Sequence, residues 1–337
     1  MTPHPGNAGP PLELVCPAGT PSALRAAVDA GAHAVYCGYN NETNARNFPG
    51  LNFSEADMAK AVGYAHDAGA KVLVAINTFA RAGQIETWRR AVDSAADAGA
   101  DAIIAADIAV LDHAAQRATR LHLSVQAAAN TPEAIRFYVR NFGVKRVVLP
   151  RVLSVEEIAK LNREIDVETE VFVFGGLCVM TEGRCAVSSY ATGESPNLSG
   201  VCSPPSHVAY EEDTGGTLVA RLGGFTIDRF KTGEPTGYPT LCKGQFAAGG
   251  KTGYLFEDPV SLNAVALFPA LRKAGVTALK IEGRQRGKAY VAQVVRAFRS
   301  AVDALERGEE DTGLAGRLAA LSEGGQQTTG AYRKTWR

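Results

Sequence analysis

Four of the six cysteines are the residues best suited to chemistry in this chain. Cys178, Cys185, Cys202 and Cys242 are separated by six, sixteen and thirty-nine residues, in a stretch rich in glycine and proline. Four thiolates can bind a structural zinc ion or an iron–sulfur cluster. Zinc sites usually take their cysteines from closely spaced pairs, because a tight turn chelates a single small ion, whereas a cubane has four separated iron corners. The wide spacing therefore favours a cluster, and zinc is the alternative.

The other two cysteines stand apart from this group. Cys16 and Cys37 lie at the ends of the first two predicted strands. Because a free cysteine behaves as a small apolar side chain and is often buried, we expect both to belong to the core. Cys37 is a reserve candidate for a metal ligand, since it lies at the end of a strand.

Short apolar segments alternate with helical segments from residue 13 onward, and many helical segments end at a glycine. The predicted strands are 13–19, 33–38, 71–78, 101–107, 121–126, 145–150, 169–174 and 278–283. The predicted helices between and after them are 21–31, 54–69, 84–99, 108–119, 131–143, 154–165 and 287–305. Eight such strands at this length predict an α/β fold of the (β/α)8 TIM-barrel type. An open, dinucleotide-binding sheet is less favoured, because no G-x-G-x-x-G follows the first strand.

A long interruption separates the seventh predicted strand from the eighth. It spans about 100 residues and contains the four clustered cysteines. Structureless segments of this length are uncommon inside compact domains and are usually functional or disordered. We expect an ordered, functional insertion at about 175–257, followed by a helix over 258–275. The predicted organisation is a flexible tail at 1–12, a barrel at 13–310 and a C-terminal tail at 311–337 that packs on the domain.

Polar residues follow several of the predicted strands. In a barrel of this type the carboxyl ends of the strands form the functional face. We expect seven polar side chains at that face: Asn44, Arg46, Asn77, Gln126, Arg151, Glu282 and Arg284. The three arginines are predicted to bind an anionic ligand, because a guanidinium binds carboxylates with paired hydrogen bonds. Ordinary loop polarity is the competing interpretation.

The composition argues against several functions. The chain has 337 residues, with 35 basic and 35 acidic side chains, so no strong basic field attracts nucleic acid. It contains no HExxH, G-x-S-x-G or P-loop motif. No apolar run is long enough to cross a membrane, and the N-terminus does not resemble a signal peptide. We therefore expect a soluble, cytoplasmic protein whose thiols stay reduced, without nucleic acid as a partner.

The segment 170–190, "EVFVFGGLCVMTEGRCAVSSY", is similar to the signature of the collagenase-like peptidase family. That signature runs E-x-F-x-x-G, a small residue, an aliphatic residue, and then C-x-x-x-x-G-x-C-x-aliphatic-S. The matching positions are Glu170, Phe172, Gly175, Cys178, Gly183, Cys185 and Ser188. Gly176 departs from it, because serine or alanine is usual there. The family's peptidase label finds no protease site to support it in this chain.

Within that family the resemblance is strongest to the ubiquinone-biosynthesis members. It extends through "ELVCPAG", "TNARNFPGLNF", "YATGESPN", "GYPTLCKG" and "KIEGRQR" to the terminal "SEGGQQTTGAYRKTWR". The resemblance implies a [4Fe–4S] cluster, held by the four cysteines Cys178, Cys185, Cys202 and Cys242. It also implies a heterodimer with a UbiV-like protein that hydroxylates the ubiquinone-precursor ring without O2, with prephenate as the hydroxyl donor.

These implications give the polar residues a role. Prephenate carries two carboxylates, which Arg46, Arg151 and Arg284 are predicted to bind, with Asn44, Asn77, Gln126 and Glu282 as positioning residues. A lipid-carrier protein is expected to deliver the apolar precursor. Two alternatives stay open: a prephenate-dependent RNA-base hydroxylase of the same family, and a non-catalytic electron-transfer subunit.

Overall fold

A computed structural model describes residues 11–199, 201–234, 236–309, 313–322 and 326–333. The strands are β1 (Glu13–Pro17), β2 (Ala34–Cys37), β3 (Lys71–Ile76), β4 (Ala102–Ala105), β5 (Leu121–Leu123), β6 (Arg146–Val148), β7 (Glu168–Gly176), β8 (Val208–Glu212), β9 (Leu218–Leu222), β10 (Phe225–Phe230), β11 (Gln245–Ala248), β12 (Lys251–Tyr254), β13 (Ser261–Asn263), β14 (Ala278–Ile281) and β15 (Gln327–Thr328). The helices are α1 (Pro21–Asp29), α2 (Glu55–Asp67), α3 (Ile85–Asp97), α4 (Ile108–Gln116), α5 (Pro132–Phe142), α6 (Val155–Asn162), α7 (Val187–Thr192), α8 (Pro196–Ser199), α9 (Phe268–Lys273), α10 (Lys288–Arg307) and α11 (Leu314–Ala319).

Eight parallel strands close into a barrel. Strands β1 to β7 pair in chain order, and β14 pairs with β1 on one side and with β7 on the other. Helices α1 to α6 connect the successive strands, as right-handed βαβ crossovers require. The predicted (β/α)8 barrel is therefore confirmed, and its eight strands lie where the alternation of the sequence placed them.

Local capping signals determine where several of these helices begin. Ser54 and Ser154 each accept a hydrogen bond from the backbone three residues on, and the acidic residue there reaches back to the serine N–H. These capping boxes satisfy N–H groups that the first helical turn leaves without partners. Gly143 ends α5 with φ 68°, a conformation that glycine adopts without a side-chain penalty.

The barrel interior is apolar on one side and charged on the other. A small apolar cluster, distinct from the main core between barrel and helices, consists of Val15, Ala34, Tyr36, Leu73, Ala75, Ala102, Ile104 and Ala278. At the equivalent alternate positions of β6, β7 and β14 the residues are Arg146, Glu168, Glu170 and Lys280. Barrel interiors are usually filled by branched apolar side chains. The charged side therefore needs internal compensation.

Arg146 provides that compensation. Its guanidinium is 4% exposed and contacts Glu13 at 2.5 Å, Glu168 at 2.7 Å and Glu170 at 3.2 Å. The second oxygen of Glu170 lies 2.5 Å from Nζ of Lys280. Burial lowers the pKa of Arg146, but the Glu170, Glu13 and Glu168 carboxylates more than reverse this, so its pKa lies above the ordinary value. The interior charges are thus paired through one continuous network.

The insertion (residues 175–257) contains antiparallel strands that the sequence did not predict. Strands β8, β9 and β10 form a three-stranded sheet, and β11 and β12 form a hairpin. Four of the five residues of β8 and all four of β12 are exposed. Neither strand therefore shows the alternation of apolar and polar residues by which a half-buried strand is detected.

The helix predicted over 258–275 is wrong for its first half. This segment forms β13, then a 3-10 turn at Val265–Leu267, and only then α9. Strand β13 pairs antiparallel with the end of β7 and parallel with β15. The physical reason is that β7 extends past the barrel and offers unpaired backbone groups, which an extended segment satisfies.

The structure describes only part of each predicted tail. Most of the 1–12 tail lies outside the described residues. In the 311–337 tail, the described part includes α11, β15 and Tyr332, whose hydroxyl donates a 2.5 Å hydrogen bond to the carbonyl of Phe172 in β7. Among the described residues, no helix combines the length and apolar character needed to span a membrane.

Replacing Arg146 by Met should destabilise the protein by about 3–5 kcal/mol, because it leaves buried carboxylates with too few cations. Urea unfolding measures this change. The matched control is Arg120→Met, which breaks the half-exposed pair with Glu168 and should cost no more than about 1 kcal/mol. Equal, small effects of the two variants would contradict the importance assigned to the interior network.

Candidate functional site

A cavity of about 300 Å³ lies at the carboxyl ends of the barrel strands. Barrel residues that line it include Tyr36, Ile104, Phe172 and Lys280, and residues of the loops after the strands and of the insertion complete the lining. Ten of the eleven predicted site residues line it: Arg46, Asn77, Gln126, Arg151, Cys178, Cys185, Cys202, Cys242, Glu282 and Arg284. The eleventh, Asn44, is buried behind the lining, where its Oδ1 accepts a 2.7 Å hydrogen bond from Arg284. The fold therefore brings the thiols and the polar rim to one place.

The four cysteines of the insertion interact with one another. None forms a disulfide, and each is partly buried. Burial raises the pKa of Cys242 to about 11, with Cys202 and Cys185 contributing in the same direction. Burial also raises the pKa of Cys178, which Cys202 influences too. All four side chains line the same cavity.

Four cysteines can hold either of two metal centres. Within the described ranges, no group of three or more His, Cys, Asp or Glu side chains is arranged to hold a metal ion. A tetrahedral zinc site requires its four ligands around one point. A cubane instead spreads its four thiolate ligands over separate iron corners. The four partly buried thiols line one cavity and supply the soft sulfur donors that an iron–sulfur cluster requires.

Glycines let the cysteine loop, residues 177–186 between β7 and α7, lie directly on the barrel rim. At Gly183, with φ +77°, an added Cβ would lie 2.2 Å from the carbonyl oxygen of Gln126. At Gly175, with φ +106°, it would lie 2.8 Å from the carbonyl oxygen of Glu282. A side chain at either position would push the loop away from the barrel. These two glycines therefore set the distance between the cysteines and the rim.

Arg151 joins the two parts of the site. One terminal nitrogen donates to Glu182 of the cysteine loop, and the other lies 2.6 Å from Glu282 at the end of β14. Its guanidinium carbon lies 3.5 Å from the ring centre of Phe172. Glu282 also pairs with Arg46 at 3.4 Å. Two of the three predicted anion-binding arginines therefore already bind carboxylates of the protein itself.

The pKa values of Glu282 and Glu182 are shifted in opposite directions. Burial alone raises the pKa of Glu282, and the Arg151 and Arg46 guanidiniums more than reverse this, so its pKa lies below the ordinary value. Burial raises the pKa of Glu182, and Arg151 opposes this only in part. Glu282 is therefore firmly ionised, whereas the charge of Glu182 depends on its single cation.

Arg284 differs from the other two arginines. It is 7% exposed, donates one hydrogen bond to the neutral amide of Asn44 and lies 5.4 Å from the Tyr36 ring centre. In the described part of the chain no carboxylate forms an ion pair with it. Burial lowers the pKa of Arg284 to about 10. A buried cation in this state would be stabilised by an anionic ligand.

The cavity as a whole carries excess positive charge. Its described lining includes three acidic residues, Glu182, Asp228 and Glu282. It includes six basic residues, namely Arg46, Arg151, Lys243, Lys280, Arg284 and Arg286. Because the whole chain is neutral, this excess is a local property of the cavity. It suits an anionic ligand, an anionic cluster, or both.

Several buried polar atoms of the lining have no hydrogen-bond partner among the described residues. They are Oε1 of Gln126, Nε of Arg151, Oε2 of Glu182 and Oγ of Ser203. Buried polar groups are nearly always paired in native proteins. Donors and acceptors of this kind can orient a polar ligand.

Five charged residues of the cavity lining were not predicted from the sequence: Glu182, Asp228, Lys243, Lys280 and Arg286. Lys280 could have been found, because it lies in the predicted eighth strand, two residues before Glu282. Glu182 gave no comparable signal, since nothing local indicates its ion pair with Arg151, thirty-one positions earlier in the chain.

The fold and the site together define a (β/α)8-barrel protein with a cationic, cysteine-lined cavity at the functional face. The profile of Peptidase family U32 matches residues 19–333. The chain belongs to this family. The expected collagenase-like family is therefore confirmed, and membership of its ubiquinone-biosynthesis branch stays a prediction.

The relatives include hydroxylation proteins. The chain is 31% identical to "tRNA hydroxylation protein P" of Escherichia coli strain K12, over 96% of this chain and 74% of that protein. It is 30% identical to the "23S rRNA 5-hydroxycytidine C2501 synthase" of the same organism, over 91% of this chain and 42% of that protein. Among solved structures, "The Structure of the U32 Peptidase Mk0906" is similar with a TM-score of 0.42 and 18% identity, over 52% of this chain and 73% of that one.

The contact at Gly183 can be tested against a matched glycine. Gly193 has a similar φ of +72°, but no atom lies within 4 Å of its would-be Cβ. Gly193→Ala should cost about 1–2 kcal/mol from the positive φ alone. Gly183→Ala should cost more and should speed the reaction of Cys178 and Cys185 with a thiol reagent, because the loop leaves the barrel. Equal stabilities and equal thiol reactivities would contradict the close approach.

Proposed function

We propose that this protein is the [4Fe–4S] component of an O2-independent hydroxylation system. In the UbiU-like form of the proposal, it acts with a UbiV-like partner on the ring of a ubiquinone precursor, with prephenate as hydroxyl donor. The observation that carries the proposal is that four neighbouring thiols and a cation-rich barrel end line one cavity. The hydroxylation proteins among its relatives support the reaction class.

Cys178, Cys185, Cys202 and Cys242 would hold the cluster. A cluster with four thiolate ligands supplies electron transfer. Burial raises the pKa of both Cys178 and Cys242, and one cation opposes this at each thiol: Arg151 at Cys178, where the Glu182 carboxylate acts in the other direction, and Lys243 at Cys242. Both cations thereby stabilise the thiolate form that binds metal.

The cations at the barrel end would bind the donor. Arg284 is the first choice for a carboxylate of prephenate, because its charge lacks a carboxylate partner in the described chain. Arg46 and Arg151 would act differently from the three-arginine arrangement predicted from the sequence. They hold Glu282 in place, and Nε of Arg151, which has no hydrogen-bond partner among the described residues, can donate to a ligand. The amides of Asn77 and Gln126, which line the same cavity, would orient the donor's polar groups.

The surface of the insertion supports an uncharged aromatic acceptor. Residues 175–257 contain eight acidic and six basic side chains, so this segment has a net charge of −2. Of the ten large apolar side chains exposed among the described residues, eight belong to it: Tyr190, Leu198, Tyr210, Phe225, Tyr238, Tyr254, Leu255 and Phe256. An insertion surface that is apolar and acidic suits a lipid-linked ring and protein partners better than a phosphate backbone. We therefore include the UbiV-like heterodimer and a lipid-carrier protein in the proposal.

A second candidate acceptor is an RNA base. The relatives favour it, because their names specify hydroxylation of tRNA and synthesis of hydroxycytidine in 23S rRNA. The relatives support an RNA acceptor more strongly than the acidic surface of the insertion argues against it. A further alternative is that this chain only transfers electrons and the partner binds the substrate.

The cluster proposal predicts the appearance of the purified protein. Protein purified without oxygen should be brown, with a broad absorbance band near ~400 nm and with iron and sulfide in equal amounts. Alanine at Cys178, Cys185, Cys202 or Cys242 should each reduce the band and the iron content. Cys37→Ala is the matched control and should leave both unchanged, since Cys37 is fully buried beside Met58. A colourless protein with one bound zinc would overturn the proposal.

The two acceptors can be separated by one pair of assays under anaerobic conditions. The UbiU-like form predicts hydroxylation of a ubiquinone precursor when prephenate and a UbiV-like protein are present, and no retention of bulk tRNA at moderate salt. Salt-sensitive tRNA binding with hydroxylated nucleoside would instead establish the RNA acceptor. If Arg284→Met in this chain leaves hydroxylation intact while the equivalent change in the partner abolishes it, the electron-transfer alternative is correct.

A further inference from the structure

Lys280 lies in the floor of the cavity and has no role in the proposals so far. It belongs to β14, two residues before Glu282, and its side chain is one of the cavity-lining groups. It is 4% exposed. Its Nζ lies 2.5 Å from Oε1 of Glu170 and 3.8 Å from the ring centre of Tyr36. The ammonium group is therefore held firmly at the inner end of the cavity.

The ammonium group has donors to spare. A lysine ammonium carries three N–H donors. Within the described residues, its one hydrogen bond goes to Glu170. The Tyr36 hydroxyl does not compete for a ligand, because it donates to the carbonyl of Ile281 at 2.9 Å. At least one N–H of Lys280 is thus available to a ligand oxygen at the cavity floor.

The surrounding network is built to keep a cation at this depth. Glu170 is fully buried and is shared between Lys280 and Arg146, and Arg146 binds Glu13 and Glu168 in addition. Buried ion pairs of this kind stabilise proteins no better than well-packed apolar side chains would. A network of five charged residues beneath a cavity therefore indicates a use beyond stability.

Lys280 and Arg284 contact the same aromatic ring. The Arg284 guanidinium carbon lies 5.4 Å from the ring centre of Tyr36, and Nζ of Lys280 lies 3.8 Å from it. The two residues are four positions apart, Lys280 within β14 and Arg284 in the turn that follows this strand. The cavity therefore presents an inner cation and an outer cation along one wall.

We propose that Lys280 is the inner anion-binding residue of the donor site and determines its preference for a dicarboxylate. Arg284 binds one carboxylate of the donor, and Lys280 binds the second at the floor. This inference rests on the proposed function, which supplies a donor with two carboxylates. A site that binds both should discriminate against an acid that lacks one, because a buried N–H donor of Lys280 is then left without an acceptor.

The test is calorimetric titration of the protein, prepared without oxygen, with prephenate and with phenylpyruvate, which has a single carboxylate. Wild-type protein should bind prephenate at least about 10-fold more tightly, the effect of one charge-assisted hydrogen bond. Lys280→Met should weaken prephenate binding by about 10-fold or more, leave phenylpyruvate binding nearly unchanged and so abolish the discrimination. Lys280→Arg should restore part of it. Lys71→Met is the matched control, since Lys71 pairs with Glu13 at the opposite end of the barrel strands.

Each outcome has a separate meaning. Wild-type protein that binds neither acid would overturn the proposed donor, and the role of Lys280 with it. If wild-type protein discriminates and Lys280→Met discriminates equally well, only the role of Lys280 is overturned. If Lys280→Met does not fold, the same two titrations are made with the double variant Lys280→Met, Glu170→Gln. This variant removes both charges of the pair and leaves Arg146 paired with Glu13 and Glu168.

Discussion

One buried guanidinium, that of Arg151, connects the parts of the molecule that matter for chemistry. It binds Glu282 at the end of a barrel strand and Glu182 in the cysteine loop, and it stacks on Phe172 inside the barrel. A buried charge without partners costs several kcal/mol, so these three contacts have to form together. The position of the cysteine loop therefore follows from the barrel rim. Gly175 and Gly183 permit the close approach that this arrangement needs.

The ion pairs of Arg151 also determine which cations of the cavity can bind a ligand. Because Arg151 and Arg46 are engaged by Glu282, we assign the binding of an external anion to Arg284 at the rim and Lys280 at the floor. Through Glu170, the placement of Lys280 depends in turn on the interior network around Arg146. Stability and ligand recognition are thus parts of one chain of charges, running from the amino-terminal ends of the strands to the cavity.

The sequence predicted the barrel well because its strands and helices obey local rules. Buried parallel strands appear as apolar runs, and capping residues such as Ser54 and Ser154 mark where helices begin. The strands of the insertion were harder to predict from the sequence. Exposed strands such as β8 and β12 have no buried face and therefore show no alternation of apolar and polar residues. The pairing of β13 with β7, and the ion pair of Glu182 with Arg151, depend on contacts distant in sequence that no local pattern encodes. Ten of the eleven predicted site residues nevertheless line one cavity, because strand ends in a closed barrel converge.

The proposed function requires one cavity to contain both a four-thiolate cluster and an anion-binding barrel end. A crystal structure of the anaerobically purified protein, measured at the iron absorption edge, decides whether it does. Anomalous density for iron is expected among Sγ of Cys178, Cys185, Cys202 and Cys242, in the cavity that also contains Arg284 and Lys280. A single zinc ion in that position, or iron held elsewhere in the chain, would contradict it.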